Sequence, residues 1–379
     1  MSKVNIKRAV ENIRANTTVY SPIVEVVVNA IQAIESTGQP DGKIVVRIQR
    51  DAQMNLESEA LAGIKNFEIE DNGIGFTPAN RESFDTLYSD FKITEGGKGF
   101  GRFICLKYFD NVHIDSVYAE DNALKRRTFS MGKDSDIIIN EKVSGSPRKS
   151  SGTLVKLVGL KDGRAIDKKL NTIARNLVEK LLPSFLLETS VCPQIKLVEA
   201  EGGESICLND WFSNELSGLI KEVAVDNNDF KLKANDAEEP FTVRVFKLYF
   251  PKNQKSRISL VAHRREVSGS PIHDYVPEFV DDFYDKDDKN GATQGRNYII
   301  KAYVFADYLD RHVSLERAGF EFKMENDLFH GISQVDIEKQ SSTIAKEAMG
   351  TDILGRQPAK SGFPGSARKK NQVTDGTFT

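Results

Sequence analysis

Glu25 and Asn29 stand four residues apart, with Val26, Val27 and Val28 between them and Ala30 behind. On a helix, positions i and i+4 share one face, so a carboxylate and an amide form one polar edge of an otherwise apolar helix. Burying such a pair costs several kcal/mol unless each member finds a partner; a solvated surface edge is the ordinary alternative. Next comes Asp71-Asn72-Gly73-Ile74-Gly75, directly after an expected strand. Glycines at this spacing permit positive φ or close backbone approach to a ligand. An aspartate at a strand end can accept a hydrogen bond from an amino group such as that of adenine, although Asp-Asn-Gly is also common turn chemistry. The third segment is Gly96-Gly97-Lys98-Gly99-Phe100-Gly101. Bare backbone N–H groups, a cation and a following helix N-terminus make an anion cradle; a flexible surface loop is the bland alternative. The GxxxxGK[ST] pattern is absent, and no strand immediately precedes the segment to open a Rossmann unit. Last, Ser151-Gly152-Thr153 leads into an apolar run and offers a hydroxyl that could bond a base.

These residues need elements to position them. Pro22 suits a first helical turn, and Ile23 to Ile34 reads as a strongly apolar helix. Residues 4–15 read as a shorter helix before it. Lys43 to Arg50 alternates through Ile44, Val46 and Ile48, as a half-buried strand should. Phe67 to Glu70 is a second strand, residues 81–92 are helical or irregular, and a helix follows from Arg102 to Phe109. Further strands are expected at 111–118, 126–131, 136–140, 153–158 and 195–198, with a long helix at 167–189. The stretch 199–239 is polar and broken. Strands at 242–250, 257–263 and 297–305 suggest a second α/β domain, and a helix is expected at 333–348. The end, from Gln357, is rich in Gly, Pro, Ser, Lys and Thr and reads as a flexible tail or linker.

With 379 residues the chain is too long for one ordinary core, so two domains and a tail are expected. Its 39% hydrophobic and 28% charged residues are normal for a globular protein. The net charge of -3 predicts no nucleic-acid partner for the molecule as a whole but leaves room for a local basic patch. Three cysteines without paired spacing argue against a disulfide framework, and no His/Cys cluster suggests zinc. The start carries no apolar signal core, and the apolar stretches are far too short to span a membrane, so a cytoplasmic location is expected.

In order and spacing the four segments, over about residues 10–160, resemble the four boxes of the GHKL superfamily of gyrase B, the heat-shock chaperone ATPase, histidine kinases and MutL. The resemblance implies an α+β fold: a Bergerat-type α/β sandwich ATPase domain at 1–215, an α/β transducer-like domain at 216–330, and a helix with a flexible tail or linker at 331–379. It implies ATP and Mg2+ as cofactors. Glu25 would activate the attacking water, and Asn29 would bind magnesium. Asp71 would hold the adenine amino group, and Gly73 and Gly75 would let the chain pass the nucleotide. Gly97, Lys98, Gly99, Phe100 and Gly101 would belong to the ATP lid, and Thr153 would lie at the adenine end. One departure is Gln32, where many relatives carry an acidic residue. Positioning a water and neutralising charge on the transferred phosphoryl group is what ATP hydrolysis requires, and a carboxylate can orient and deprotonate that water.

Relatives of this plan send a cation from the second domain to the γ-phosphate. Arg317, in Val313-Ser314-Leu315-Glu316-Arg317, and Lys255, in the basic loop 252–257, are the two candidates. Only about two dozen residues precede Glu25, and they hold no histidine, which disfavours a histidine kinase. The run 97–103 and the segment 313–320 look most like stand-alone bacterial chaperone-like or MORC-like ATPases, which by analogy act in genome or antiviral defence. The expected function is an ATP-gated homodimeric clamp on DNA or a partner protein, with segment 1–20 exchanged between protomers. A chaperone acting on client proteins and a nucleotide-regulated module with negligible turnover are the alternatives. Lys125-Arg126-Arg127, Arg148-Lys149, Arg264-Arg265 and Arg368-Lys369-Lys370 would support DNA binding if they lined one groove.

Overall fold

Alternating burial builds the first sheet. In β1 (Lys43–Arg50) the side chains of Ile44, Val46 and Ile48 are all but inaccessible, while their neighbours face outward. The computed structural model describes residues 6–11, 13, 17–51, 61–86, 101–164, 166–186, 192–213, 219–234, 237–251, 253–285, 295–314, 319–322 and 331–354, and the elements below lie within them. After α1 (Ile6–Glu11) and α2 (Tyr20–Glu35), β1 pairs with β2 (Ile64–Asp71), and α3 (Pro78–Asp85) and α4 (Ile104–Tyr108) follow. Strands β3 (Phe109–Glu120), β4 (Ala123–Met131), β5 (Ile138–Gly145) and β6 (Gly152–Leu160) precede α5 (Leu170–Phe185), β7 (Gln194–Glu199), β8 (Ser205–Cys207) and α6 (Asp210–Ser213). The eight strands run in the order β5-β4-β3-β6-β2-β1-β7-β8, antiparallel except for β1 with β7.

A second sheet forms from β9 (Ile220–Val223), β10 (Asp229–Ala234), β11 (Ala237–Tyr249), β12 (Arg257–Ala262), β13 (Arg265–Pro271), β14 (Phe283–Tyr284) and β15 (Asn297–Phe305). Its main path is β10-β11-β15-β12-β13, with β9 on β11 and β14 on β15. The helices α7 (Asp307–His312), α8 (Gln334–Ala348) and α9 (Gly350–Ile353) complete it, and α8 buries Ile337, Ile344 and Ala345 in its core. The fold is therefore α+β, with two mixed sheets and their helices. The boundary expected at 215/216 lies outside the described residues, as does the tail from 355 onward.

Helices α2 and α5 carry the first core. Ile23, Val27, Ile31 and Ile34 of α2 pack with Ile173, Ala174, Leu177 and Leu181 of α5 against β1, β2 and β6. Further along α5, Leu182 and the following Leu186 pack instead with Phe246, Leu248, Val261, Ile299 and Tyr303 of the second sheet. One helix thus belongs to two apolar clusters, which ties the sheets through buried area, the dominant favourable contribution to folding. The N-terminal segment docks on its own chain: the Ile6 N–H donates to the Asp134 carbonyl at 3.0 Å, and Lys107 Nζ donates to the Ile13 carbonyl at 2.9 Å.

Candidate active site

Helix α2 is buried on most of its surface, and the residues that escape burial after its first turn are Glu25, Asn29, Gln32, Ala33 and Glu35. Those positions follow the 3.6-residue period, so the polar edge expected from the sequence exists. It opens into a cavity. Glu25, Asn29 and Gln32 line one wall; Asp71, Gly75, Phe76, Thr153 and Val155 line the far side; Gly101, Arg102 and Cys105 close a third.

Each segment is held in place by a specific contact. Gly101 stands where any side chain would strike the carboxylate: a Cβ there would lie 2.3 Å from Glu25 Oε1. Gly75 has φ +78°, a region that non-glycine residues rarely enter, and a Cβ there would lie 2.2 Å from the Val117 carbonyl oxygen. The chain at Gly73 packs directly on α2, since the Ile74 N–H donates to the Ala33 carbonyl at 3.1 Å. Asn72 is structural: its Oδ1 accepts from the Lys43 N–H at 2.7 Å, and its amide donates to the Asp41 carbonyl at 3.1 Å.

Asp71 ends β2 with its carboxyl at the cavity wall. It accepts the Gly73 N–H at 2.8 Å and a backbone hydrogen bond from Thr153. Burial pushes its pKa up to about 7, against those two donors, which favour the charged form. Some exposure remains through the cavity, and water entering there moderates the effect. Thr153 Oγ1 is 3.0 Å from Ser116 Oγ, and Ser116 Oγ accepts the Phe76 N–H at 2.8 Å, so these hydroxyls form a buried chain beside Asp71. Phe76, Phe84 and Phe129 make three edge-on ring contacts beside the cavity. Arg102 lies over the Phe84 ring at 4.9 Å and donates to the Thr86 carbonyl at 3.2 Å. Burial draws its pKa down to about 10, opposed by Glu25 and Asp85, so it is a cation at neutral pH. Burial also raises the Cys105 thiol far above its usual value, which leaves it an unreactive wall residue.

A cation reaches the site from the second sheet, from a residue that sequence reasoning had placed only in a basic cluster. Arg265 opens β13 and extends across to α2. Its guanidinium lies 3.0 Å from Glu25 Oε2 and 3.5 Å from Asn29 Oδ1. Arg264 beside it is ion-paired with Glu35 of the same helix. The two arginines are delivered by a two-residue turn, His263-Arg264, whose φ values of 46° and 66° define a type I′ hairpin geometry. Non-glycine residues in that region carry roughly 1–2 kcal/mol of strain each. The His263 N–H donates to Asp310 Oδ1 at 2.7 Å, which anchors the turn to α7.

Of the expected site residues, the cavity brings together Glu25, Asn29, Asp71, Gly75, Gly101 and Thr153, with Gly73 at its edge. Lys255 is not brought there. It is exposed, its Nζ donates to the Val280 carbonyl at 3.3 Å, and it precedes β12 at the end opposite Arg265, about 20 Å away at the rise of a strand. Gly97, Lys98, Gly99, Phe100 and Arg317 lie outside the described residues. Among the described residues two basic clusters are engaged within the chain, whereas Arg148 and Lys149 are exposed, with Arg148 near Asp115. Lys125 pairs with Glu120 at 2.5 Å, Arg126 with Asp115 at 2.6 Å, and Arg127 with Glu141 at 3.1 Å. Arg264 and Arg265 are engaged on α2.

The profile of the family described as histidine kinase-, DNA gyrase B-, and HSP90-like ATPase matches residues 16–142. A search of curated proteins finds no match. Among solved structures, the ATPase region of Saccharomyces cerevisiae topoisomerase II is similar at 12% identity and TM-score 0.47, over 89% of this chain and 85% of that one. The N-terminal domain of a DNA repair protein is similar at 11% identity and TM-score 0.48, over 92% of this chain and 99% of that one. At these values neither likeness carries an argument about activity. The family match spans the helix with Glu25 and Asn29, the Asp71 loop and strands β3 and β4, and it ends before β6 with Thr153 and Val155. Over residues 16–142 the chain thus matches the GHKL superfamily, the histidine kinase-, DNA gyrase B- and HSP90-like ATPases.

Proposed function

We propose that this chain binds ATP with Mg2+ in the cavity between α2 and β2 and hydrolyses it. The observation that carries the reading is the convergence on one cavity of a carboxylate, an amide, a buried aspartate and two glycines that tolerate no side chain, with Arg265 held against the carboxylate and the amide. The residues fit the nucleotide. Asp71, with the Thr153–Ser116 hydroxyls beside it, presents an acceptor to the amino group of adenine, and Gly75 lets the chain pack closely on Val117 at the cavity wall. Asn29, open to the cavity, would hold magnesium. Magnesium held there would supply positive charge to the phosphates. Glu25 orients a water and accepts its proton. Gly101 lets the backbone close onto that carboxylate, so the base is held in one orientation. Arg265 supplies a fixed positive charge where charge develops on the transferred phosphoryl, the kind of preorganised stabilisation that lowers barriers most. Gln32 leaves the water to Glu25 alone.

Two finer readings go with this. The chain works as an ATP-gated dimer, a reading that follows the family match, and turnover is linked to how the two sheets of the chain sit because Arg265 comes from the second. Its client is DNA or a partner protein, and pairing within the chain of the basic residues at 125–127 and 264–265, two of the three described clusters, favours the protein. A role in genome or antiviral defence is the broader proposal. The test is direct: measure ATP binding and magnesium-dependent phosphate release by the purified chain. Saturable binding with turnover supports the reading, and failure to bind ATP overturns it.

A further inference from the structure

Arg265 and Glu266 are neighbours on β13, and successive side chains of a strand point to opposite faces. Arg265 turns toward α2, whereas Glu266 turns into the second sheet. There Glu266 Oε2 accepts from Lys301 Nζ at 2.6 Å, and Glu266 Oε1 accepts from Ser259 Oγ at 3.0 Å. Lys301 is only 7% exposed, in mid-β15, and its Nζ also lies 4.8 Å from the centre of the Tyr303 ring. Tyr303 packs on α5, where its hydroxyl donates to the Glu179 carbonyl at 3.3 Å. The hydrolysis described above uses none of these groups.

A buried ion pair is a poor device for stability alone, since an apolar pair of equal volume often does as well or better. It is a good device for fixing register. The pairing of β12 with β13 shifts between Leu260 and Val261, so only Val261–Glu266 and Ala262–Arg265 continue the ladder from there to the turn. A bulge disrupts the ladder locally, and a one-residue slip would turn Arg265 away from α2 and Glu266 toward it.

We propose that the Glu266–Lys301 ion pair, with Ser259, is the positioning device for Arg265: it pins β13 so that the guanidinium meets Glu25 and Asn29. This rests on Arg265 acting as the cation of the proposed hydrolysis. Because Lys301 and Tyr303 belong to the strand that faces α5, the pair also transmits the seating of the second sheet on α5 to the nucleotide site.

The test uses the full chain. The double substitution Glu266→Gln with Lys301→Met removes both charges and leaves neither buried alone, and Ser259→Ala removes one hydrogen bond while keeping the pair. Steady-state kcat and KM, ATP affinity and melting temperature are measured for each, alone and combined with Arg265→Ala. A displacement of the cation by about 1 Å lowers kcat by ten- to a hundredfold, with ATP affinity within about twofold of the original because Asp71 and Asn29 are untouched. Ser259→Ala gives a smaller loss of the same kind. In the Arg265→Ala background neither change has further effect on kcat, because non-additivity marks residues acting through one another. Unchanged kcat despite a lowered melting temperature, or losses that add to that of Arg265→Ala, overturns the positioning role. Full turnover by Arg265→Ala alone overturns instead the reading of Arg265 on which it stands.

Discussion

Asp71 offers a prediction whose size follows from its surroundings. In the unfolded chain its carboxyl titrates near 3.8, and in the fold burial raises it to about 7. A tenfold change in acidity corresponds to about 1.36 kcal/mol, so holding the charged form in the fold costs at most about 4 kcal/mol. Exposure through the cavity reduces this to about 2 kcal/mol. The sign follows from proton linkage. Between about 4 and 7 the folded protein holds a proton that the unfolded chain has released, so stability falls as pH rises through that window and is lowest above it. Asp71→Asn removes this dependence. The melting temperature of the wild type should therefore fall relative to the variant by several degrees between pH 4.5 and pH 8 in the absence of nucleotide. Adenosine, which has no phosphate to titrate, should bind the variant about ten- to a hundredfold more weakly at pH 8, because a hydrogen bond to a charged acceptor is lost. For the wild type, adenosine affinity should rise from pH 5.5 to pH 8 as the acceptor ionises. Melting curves and calorimetric titrations on the two proteins decide the matter. Parallel stability curves would show that Asp71 does not titrate in this window, and unchanged adenosine affinity would show that it does not hold the base.

Other substitutions separate the roles in the site. Arg265→Ala should lower kcat by about a hundredfold or more with little effect on ATP affinity, whereas Lys255→Ala should leave kcat unchanged; steady-state assays compare them. Gly101→Ala puts a methyl group 2.3 Å from Glu25 Oε1 and should abolish turnover by displacing the base, with ATP still detected by direct binding. Gly75→Ala combines φ +78° with a 2.2 Å clash against backbone and should destabilise the fold by at least about 2 kcal/mol, visible as a lower melting temperature at every pH.

The nucleotide half of the site was legible because its chemistry is local. Glu25 and Asn29 share a face by helical period, and Asp71, Gly73 and Gly75 sit on one turn after one strand, so spacing alone brings the right groups together. Alternation located β1, and short apolar or alternating runs located β2, β6, β12 and β15 to within a few residues. Short strands β9 and β10 were missed: β9 has only four residues, and β10, although Phe230, Leu232 and Ala234 alternate with polar residues, directly follows the turn-like run 226–229 in a polar stretch. The contact of Arg265 with Glu25 was not legible for a physical reason. β13 reads Arg265-Glu266-Val267-Ser268-Gly269-Ser270-Pro271, and Ser, Gly and Pro disfavour a strand. Its hairpin turn is His263-Arg264, not the Asn-Gly that usually marks type I′ geometry. Without the strand there was no hairpin, and without the hairpin Arg265 was only one of two adjacent basic residues. The contact with Glu25 spans 240 positions of sequence, a separation that no local pattern encodes.

The account turns on Glu25 as the base of an ATPase, and Glu25→Gln tests it most directly. The amide keeps the size of the side chain and its fit beneath Gly101 but cannot take a proton from water. ATP binding and magnesium-dependent phosphate release should be measured on the same samples of the wild type and the variant. The account predicts that both proteins bind ATP within a few-fold of each other, and that only the wild type releases phosphate at more than a trace rate. Equal turnover by the two proteins would contradict it, because the cavity would then hydrolyse ATP without the residue around which it is built.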